Sequence, residues 1–410
     1  MKRIQQLVLA VLFLGIIWTV PITQSILEIA DGETPQIIEM VIGMFNLDSD
    51  TTLEEHLRIS EADIEEYSFF EENLRPLFQL VRYFATKDMG AKALRGIVAP
   101  NGQRWYFFQP GISYLSDPYF RDIESLQKAG GGTVISGGGA DREAGDDPVA
   151  VIRDFADQMR ARGIKLLVVV VPGKASIYPD RLTSTIEPGT PVYAHTSRFI
   201  KELTELGVEV VNIHEVLVKN RAAADARGEP LFMASDTHWS GAGVSLAAGA
   251  IADRVKLEAW YKELVLPKRY HREKIAVERR GDIPEMTQLP IQEYLFAAEK
   301  VDCYQVFDNE TRALYEDNPA SPVLLLGDSF SRVFQTDDPQ AAGLIANLAY
   351  ELQLPLASIV NNGGASTLVR QKLARKIDLL KGKRLIIWEF IERDIRFGLQ
   401  GWEHISYSDD

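Results

Sequence analysis

A chain of 410 residues with 46% hydrophobic content is long enough for a large core or two domains, and its composition is that of a globular protein, not a disordered one. Carboxylates outnumber Lys plus Arg by 58 to 44, a net charge of −14, and no basic run offsets them, so nucleic acid is excluded as an expected partner. The single cysteine, Cys303, forbids an internal disulfide and lacks His or Cys at ligand spacing, so it reads as a small core residue with no zinc site.

The chain opens with Met1, Lys2 and Arg3, then an apolar run from Ile4 to Ile22 broken by Gln5 and Gln6, and acidic residues follow from Glu28. About 17–25 apolar residues span a bilayer, and the basic flank stays cytoplasmic while the remainder is exported. "WTVPITQS" lacks the small residues of a cleavage site, so an uncleaved anchor over residues 1–22 is expected, with the rest of the chain periplasmic.

Residues 23–95 read as a helical lead-in, with apolar residues at three- and four-residue spacing in "LEEHLRISEADIEEYSFFEENLRPLFQLVRYF". "NGQRWYFFQPGISYL" opens on the turn pair Asn101 and Gly102 and continues as a hairpin strand. The stretch 129–148 is glycine-rich and acidic, a loop or linker with no match to a phosphate-binding loop. From Pro148 helix and strand patterns alternate. The helix "VAVIRDFADQMRARG" precedes the strand "IKLLVVVVP", "TSRFIKELTELG" precedes "VEVVNIHEVL", and "SGAGVSLAAGAIADRV" forms a further helix. After an insertion at 256–321 come the strands "PVLLLGDSF", "LASIVNNGG" and "RLIIWEFIER", with the helical "STLVRQKLARKIDLLKG" before the last. Continuous apolar strands between helices predict an α/β fold with a parallel sheet covered on both faces, occupying residues 96–410.

Polar or glycine-rich residues follow every apolar run, and in open parallel sheets the ligand crevice lies beyond the carboxyl ends of the strands. Ser329 follows "VLLLGD" as a candidate nucleophile. Its hydroxyl needs a base, which His238 supplies, and Asp236 two residues away fixes the imidazole tautomer. The backbone N–H of Ser329 and that of Gly364 are the candidate oxyanion donors. Lys174 and Tyr178, after a strand end, and Arg332 and Arg393, in the crevice, are candidates for binding substrate. An exposed loop lysine, a packed tyrosine and internal ion pairs are the alternatives.

"GDSFS" resembles the nucleophile block of SGNH/GDSL hydrolases, and "DTHWSGAG" resembles their acid-histidine block, which normally comes last. Here it comes first. With "GIKLLVVVVPGKASIYPDRL", "NGQRWYFF" and "LIIWEFIERDI", that order resembles the alginate O-acetyltransferase (AlgJ/AlgX-like) family, whose SGNH-hydrolase-like, flavodoxin-like domain is sequence-permuted. The resemblance implies Ser329 as acyl-accepting nucleophile, His238 as base and Asp236 as its orienter. It departs at Glu389, which stands where the usual fold has an oxyanion asparagine, with Asn361 or Asn362 as substitutes.

What the resemblance implies is an O-acetyltransferase acting on an exported polysaccharide, with no cofactor and no metal. The acetyl group comes across the membrane from a membrane-bound O-acyltransferase. A carbohydrate acetylesterase and a non-catalytic polysaccharide-binding scaffold subunit are the alternatives. The acidic balance favours a neutral glycan over a uronate polymer unless Lys174, Arg332 and Arg393 form a basic groove.

Overall fold

The computed structural model describes residues 75–122, 146–190, 192–398 and 401–407, with scattered positions between 19 and 38. Two compact units divide the chain, residues 1–88 with 288–291 and residues 89–287 with 292–410. In the first, residues 22–30 and helix α1 (Arg75–Thr86) are helical, in line with the apolar spacing. The expected anchor at 1–22 falls almost wholly outside the described residues, as do most of the lead-in and residues 129–145 of the glycine-rich stretch. No helix among the described residues is long and apolar enough to cross a membrane.

The second unit begins with an antiparallel hairpin, β1 (Ala93–Val98) and β2 (Arg104–Phe108). Its turn needs Gly102, which sits at φ +82° and closes through Gly102 N–H to Ala99 O at 2.9 Å. β2 does not continue through "QPGISYL": Pro110, which has no N–H for a ladder, opens a helix over Gln109–Ser116.

The core is a five-stranded parallel sheet. In chain order its elements are helix α2 (Pro148–Ala161), β3 (Lys165–Val171), α3 (Ala194–Glu205), β4 (Glu209–Asn212), α4 (Ile213–Ala226) and α5 (Gly241–Val255). The inserted strands β5 (Tyr270–Arg279) and β6 (Glu299–Asp308) follow. Then come β7 (Val323–Gly327), the short α6 (Ser329–Arg332), α7 (Leu344–Leu352), β8 (Ala357–Val360), α8 (Leu368–Arg375) and β9 (Leu385–Ile391).

The two-residue alternation of each strand splits its side chains between two cores. Leu167, Val169, Val171, Leu325 and Ile387 pack with Leu217 of α4, Ile251 of α5 and Leu348 of α7. Leu166, Val168, Val170, Leu326 and Trp388 pack with Phe155 of α2, Phe199 of α3 and Leu373 of α8. Burial on both faces explains the unbroken apolar runs. β4 is shorter than "VEVVNIHEVL" suggests. Ile213, Leu217 and Ala224 point inward at helical spacing, so the helix takes over at Ile213.

The spatial order is β4-β3-β9-β7-β8. Counted from β7, with β3 and β4 placed after β9, that order read from the β8 edge becomes 2-1-3-4-5, the flavodoxin-like arrangement. The sheet is therefore the expected doubly wound one with its chain order permuted. Its switch point lies between β7 and β9.

The insertion forms an antiparallel pair in unbroken register from Tyr270 opposite Asp308 to Arg279 opposite Glu299. Tyr270, Val301, Cys303 and Val306 extend the core on the α5 and α7 side, and Cys303 is a buried free thiol, as its lone position suggested. The pair lies hard against the start of α5: a Cβ on Gly241 would overlap the Asp302 carbonyl and come within 2.8 Å of Cys303 Cα. Gly241→Ala is therefore expected to cost about 1–3 kcal/mol through overpacking. In a urea titration the midpoint should fall with the slope unchanged; an unaltered midpoint would show that the hairpin gives way freely.

Candidate active site

Between α4 and α5 the chain runs from Met233 to His238 as a fully buried loop outside any helix or strand. Buried backbone must still find partners, and here side chains supply them. Lys174 Nζ donates to Met233 O (2.9 Å), Ala234 O (3.0 Å) and Asp236 O (2.6 Å). The Glu299 carboxylate accepts from Ala234 N (2.9 Å), Ser235 N (2.9 Å) and Ser235 Oγ (2.6 Å). Thr237 N donates to Asp282 Oδ1 at 2.6 Å, and His238 N to Asp236 Oδ1 at 3.0 Å. Gly281 presses on the same loop, where a Cβ would overlap the Ser235 carbonyl.

Two residues expected to meet substrate are thus inside the framework. Lys174 is buried with all three donors engaged, and burial lowers its pKa to about 8 against the pull of Glu299 and Asp236. Tyr178 is buried beneath the loop, its hydroxyl donating to Asp225 Oδ1 (2.8 Å) and accepting from Leu231 N (2.9 Å). Neither has a polar group left for a ligand.

Asp236 and His238 form a close pair, with His238 Nδ1 2.6 Å from Asp236 Oδ1. The other oxygen, Oδ2, accepts from Arg279 Nε at 3.0 Å. Burial alone would raise the Asp236 pKa, but the imidazole and Arg279 hold it well below the usual carboxylate range. For His238 burial disfavours the charged ring, yet Asp236 and then Asp282 outweigh it and raise its pKa. Asp282 lies 3.4 Å from Nδ1, and its own pKa is raised by burial and by Asp236. Asp236, His238 and Asp282 have ligand atoms within 4.8 Å of one another, the one group with metal-binding spacing among the described residues. Their facing atoms are already bonded to one another, to Thr237 and to Arg279, so a cation would have to displace those contacts.

β7 ends at Gly327, and Asp328 caps the turn that carries Ser329. Its Oδ1 accepts from Phe330 N (2.7 Å) and its Oδ2 from Ile391 N (2.9 Å), tying the turn to β9 across the switch point. Ser329 is half-buried at the first position of α6. Its neighbour Phe330 lies 4.7 Å, ring to ring, from His238, and Trp239 Nε1 donates to Phe330 O at 3.1 Å. The acid-histidine loop and the serine turn, about ninety residues apart in sequence, therefore meet at Phe330. His238 Nε2 is buried with no hydrogen-bond partner among the described residues. The Ser329 N–H likewise has no acceptor among them.

Glu389 does not act as a stand-in donor at the surface of the crevice. It is buried beneath the turn, where Oε2 accepts from Ser331 Oγ (2.5 Å) and Asp328 N (3.2 Å). Burial and the Asp328 carboxylate push its pKa well up.

The remaining candidates divide. Gly364 N–H turns onto Asn361 O at 3.2 Å, closing its own loop, so the second oxyanion donor expected there is already engaged. Asn361 is held by Lys372 Nζ on its Oδ1 (2.9 Å), and Asn362 is exposed. Arg332 pairs with Asp337 at 2.6 Å. The Arg393 guanidinium makes no hydrogen bond or ion pair among the described residues and lies over the rings of Phe108 (5.2 Å) and Phe330 (5.9 Å). Beside it, burial raises the Asp394 pKa to about 7, with Arg393 opposing. Sequence reasoning missed Arg279, Asp282 and Glu299, and the one available signal was "ERRGD", a charged run with a glycine inside the insertion.

If Lys174 is the clamp on this loop, Lys174→Met leaves the buried carbonyls of Met233 and Asp236 without donors, while Ala234 O keeps Tyr106 N–H at 2.9 Å, and should destabilise the fold by about 2 kcal/mol or more. Thermal melting and urea titration measure it; an unchanged midpoint would remove the clamp from the account.

A sequence profile of the family described as "SGNH hydrolase-like domain, acetyltransferase AlgX" matches residues 140–392. Two curated relatives carry the name probable alginate O-acetylase AlgJ. That of Azotobacter vinelandii is 24% identical over 262 residues, 60% of this chain and 62% of its own length. That of Pseudomonas fluorescens is 25% identical over 255 residues, 60% of each. This chain thus spans about three-fifths of the length of these relatives. Among solved structures, the O-acetyltransferase domain of Pseudomonas putida AlgJ aligns with a TM-score of 0.53 at 20% identity, over 75% of this chain and 93% of that one, a likeness of fold. The profile covers more than half of the residues, and the permuted sheet agrees with it: the chain belongs to the AlgX acetyltransferase family of SGNH hydrolase-like domains.

Proposed function

We propose that this protein moves acetyl groups onto hydroxyls of an exported polysaccharide through a serine ester on Ser329, with His238 as base and Asp236 as its orienting acid. The observation that carries the reading is the buried Asp236–His238 pair, whose unpartnered Nε2 belongs to a ring packed on the residue next to Ser329. The names of the AlgJ relatives support acetyl transfer as the reaction class.

His238 Nε2 takes the Ser329 proton as Oγ bonds to the acetyl carbonyl carbon, and the charge that develops on the carbonyl oxygen meets the free Ser329 N–H. Collapse breaks the bond to the donor, whose leaving atom receives the proton from His238. A sugar hydroxyl then gives its proton to the same nitrogen, bonds to the acetyl carbon and releases Ser329 Oγ, which is reprotonated. Asp236 keeps the Nδ1–H tautomer throughout and stabilises the imidazolium. Arg393, which lies over the rings of Phe108 and Phe330 with no hydrogen bond or ion pair among the described residues, binds the acceptor or donor beside the serine turn. Glu389 braces the serine turn from below. The apolar N-terminal segment anchors the protein to the inner membrane with this domain on the periplasmic side, where a membrane-bound O-acyltransferase supplies the acetyl group.

Ser329→Ala should lower turnover of a chromogenic acetyl ester about 10³-fold or more with the melting temperature unchanged. Mass spectrometry of an oligosaccharide acceptor should find acetylated sugar with the wild type only. Acetate without acetylated sugar would assign an esterase, and full polymer acetylation by a folded Ser329→Ala protein would leave a binding subunit in its place.

The base works only when neutral. Because Asp236 raises the His238 pKa, kcat/KM should fall as pH drops through a value above the ordinary imidazole pKa of about 6.5. Asp236→Asn should move that limb to lower pH and reduce the plateau; a limb below the ordinary value in the wild type would contradict the pairing.

A further inference from the structure

We infer that Arg279, brought in by the inserted hairpin, is a positioning residue for the Asp236–His238 pair, an inference that rests on the reading of Ser329, His238 and Asp236 given above. Asp236 has no exposed surface, and its Oδ1 is occupied by the imidazole and by His238 N–H. Oδ2 would be a buried, unpaired anionic oxygen without Arg279 Nε at 3.0 Å. With both oxygens held, the plane of the carboxylate is fixed, so Oδ1 stays directed at Nδ1 and the Nε2 lone pair is presented to the crevice.

Arg279 is itself held at its far end. Its Nη1 lies 3.5 Å from Asp337 Oδ2, while Asp337 Oδ1 pairs with Arg332 Nη1 at 2.6 Å, and its guanidinium lies 5.4 Å from the Phe334 ring. Alternating charges thus run from Asp236 through Arg279 and Asp337 to Arg332, three residues beyond Ser329. The chain links the acid to the serine turn, and the hairpin end is fastened by the close approach of Gly281 to Ser235. The charged groups that face this pair are Asp282 and Arg393 on His238, and Asp282 and Asp337 on Arg279, with Lys174 beneath the loop.

A purely electrostatic role and a positioning role move the acid limb of the pH profile in opposite directions. Removing a cation from beside the pair raises the imidazole pKa. Freeing Asp236 to turn away from Nδ1 removes the interaction that raised it, and the pKa falls. The test uses the full-length protein and p-nitrophenyl acetate. Arg279→Met should lower kcat about 10- to 100-fold, leave KM within about twofold and move the acid limb to lower pH, as Asp236→Asn does. Arg279→Lys, which restores one cationic donor, should recover most of the kcat.

Wild-type kcat and limb in a folded Arg279→Met protein overturns the inference, as does a limb that moves upward or a loss that Arg279→Lys fails to relieve. If Arg279→Met does not fold, Asp337→Asn decides: it keeps the Arg279–Asp236 hydrogen bond but loosens the far end of Arg279 together with the Arg332 pair, and should lower kcat several-fold with the limb again moved down, whereas a wild-type profile, or a loss of kcat with the limb unmoved, overturns the inference. Ser329→Ala separates this from failure of the site itself. A dead Ser329→Ala with a wild-type Arg279→Met removes only the role of Arg279, and an active Ser329→Ala removes the site.

Discussion

A buried ammonium and a buried carboxylate hold the loop that carries the acid and the imidazole, and the geometry of the whole site follows from that clamp. Residues 233–238 have no helix or strand to satisfy their peptide groups, so Lys174 takes three of their carbonyls and Glu299 two of their amides. The two side chains come from opposite sides of the loop in sequence, Lys174 from just after β3 and Glu299 from the inserted strand β6. A charged hydrogen bond to backbone is stronger than a neutral one, and several converging on six residues leave them a single conformation.

The serine turn is built on the same principle with a different device. Asp328 caps α6 with one oxygen and reaches β9 with the other, so the turn is fastened to both strands that flank the switch point. Below it, Glu389 sits at a strand position whose alternation partners, Leu385, Ile387 and Ile391, are core residues. A carboxyl group can occupy that place because Ser331 Oγ and the Asp328 N–H donate to it, and burial with its neighbour Asp328 shifts it toward the uncharged form. The position where an oxyanion donor was sought thus serves to hold the turn.

Much of this was legible in the chain. The apolar runs of β3, β7 and β9 read directly as strands buried on both faces, and "DTHW" and "GDSFS" marked the loops that meet at Phe330. What could not be read has a common physical cause. β5, "YHREKIAVER", has one fully buried residue and is exposed at half of its positions, so it carries no apolar alternation, and its pairing with β6 is visible only in three dimensions. Arg279, Asp282 and Glu299 matter through partners 43 to 65 residues away. Lys174 and Tyr178 follow a strand end, where polar residues normally face a crevice, but the inserted hairpin and the loop above them close over that space. Gly364 was read as a donor because glycine permits close approach, but its N–H closes its own turn onto Asn361 O, with Gly363 at φ +61°.

The permuted order of the sheet also sets when the site can exist during synthesis. The ribosome releases the imidazole loop before the hairpin that supplies Asp282 and Glu299, and the strand bearing the serine emerges later still. A nascent chain that ends short of Glu299 lacks the acceptor of the Ala234 and Ser235 amides, so the loop that carries the imidazole is not fully held until Glu299 has left the tunnel, and Ser329 follows after that. Assembly is therefore deferred until both later segments have been made, and a product truncated before Glu299 would carry the ring without the means to aim it.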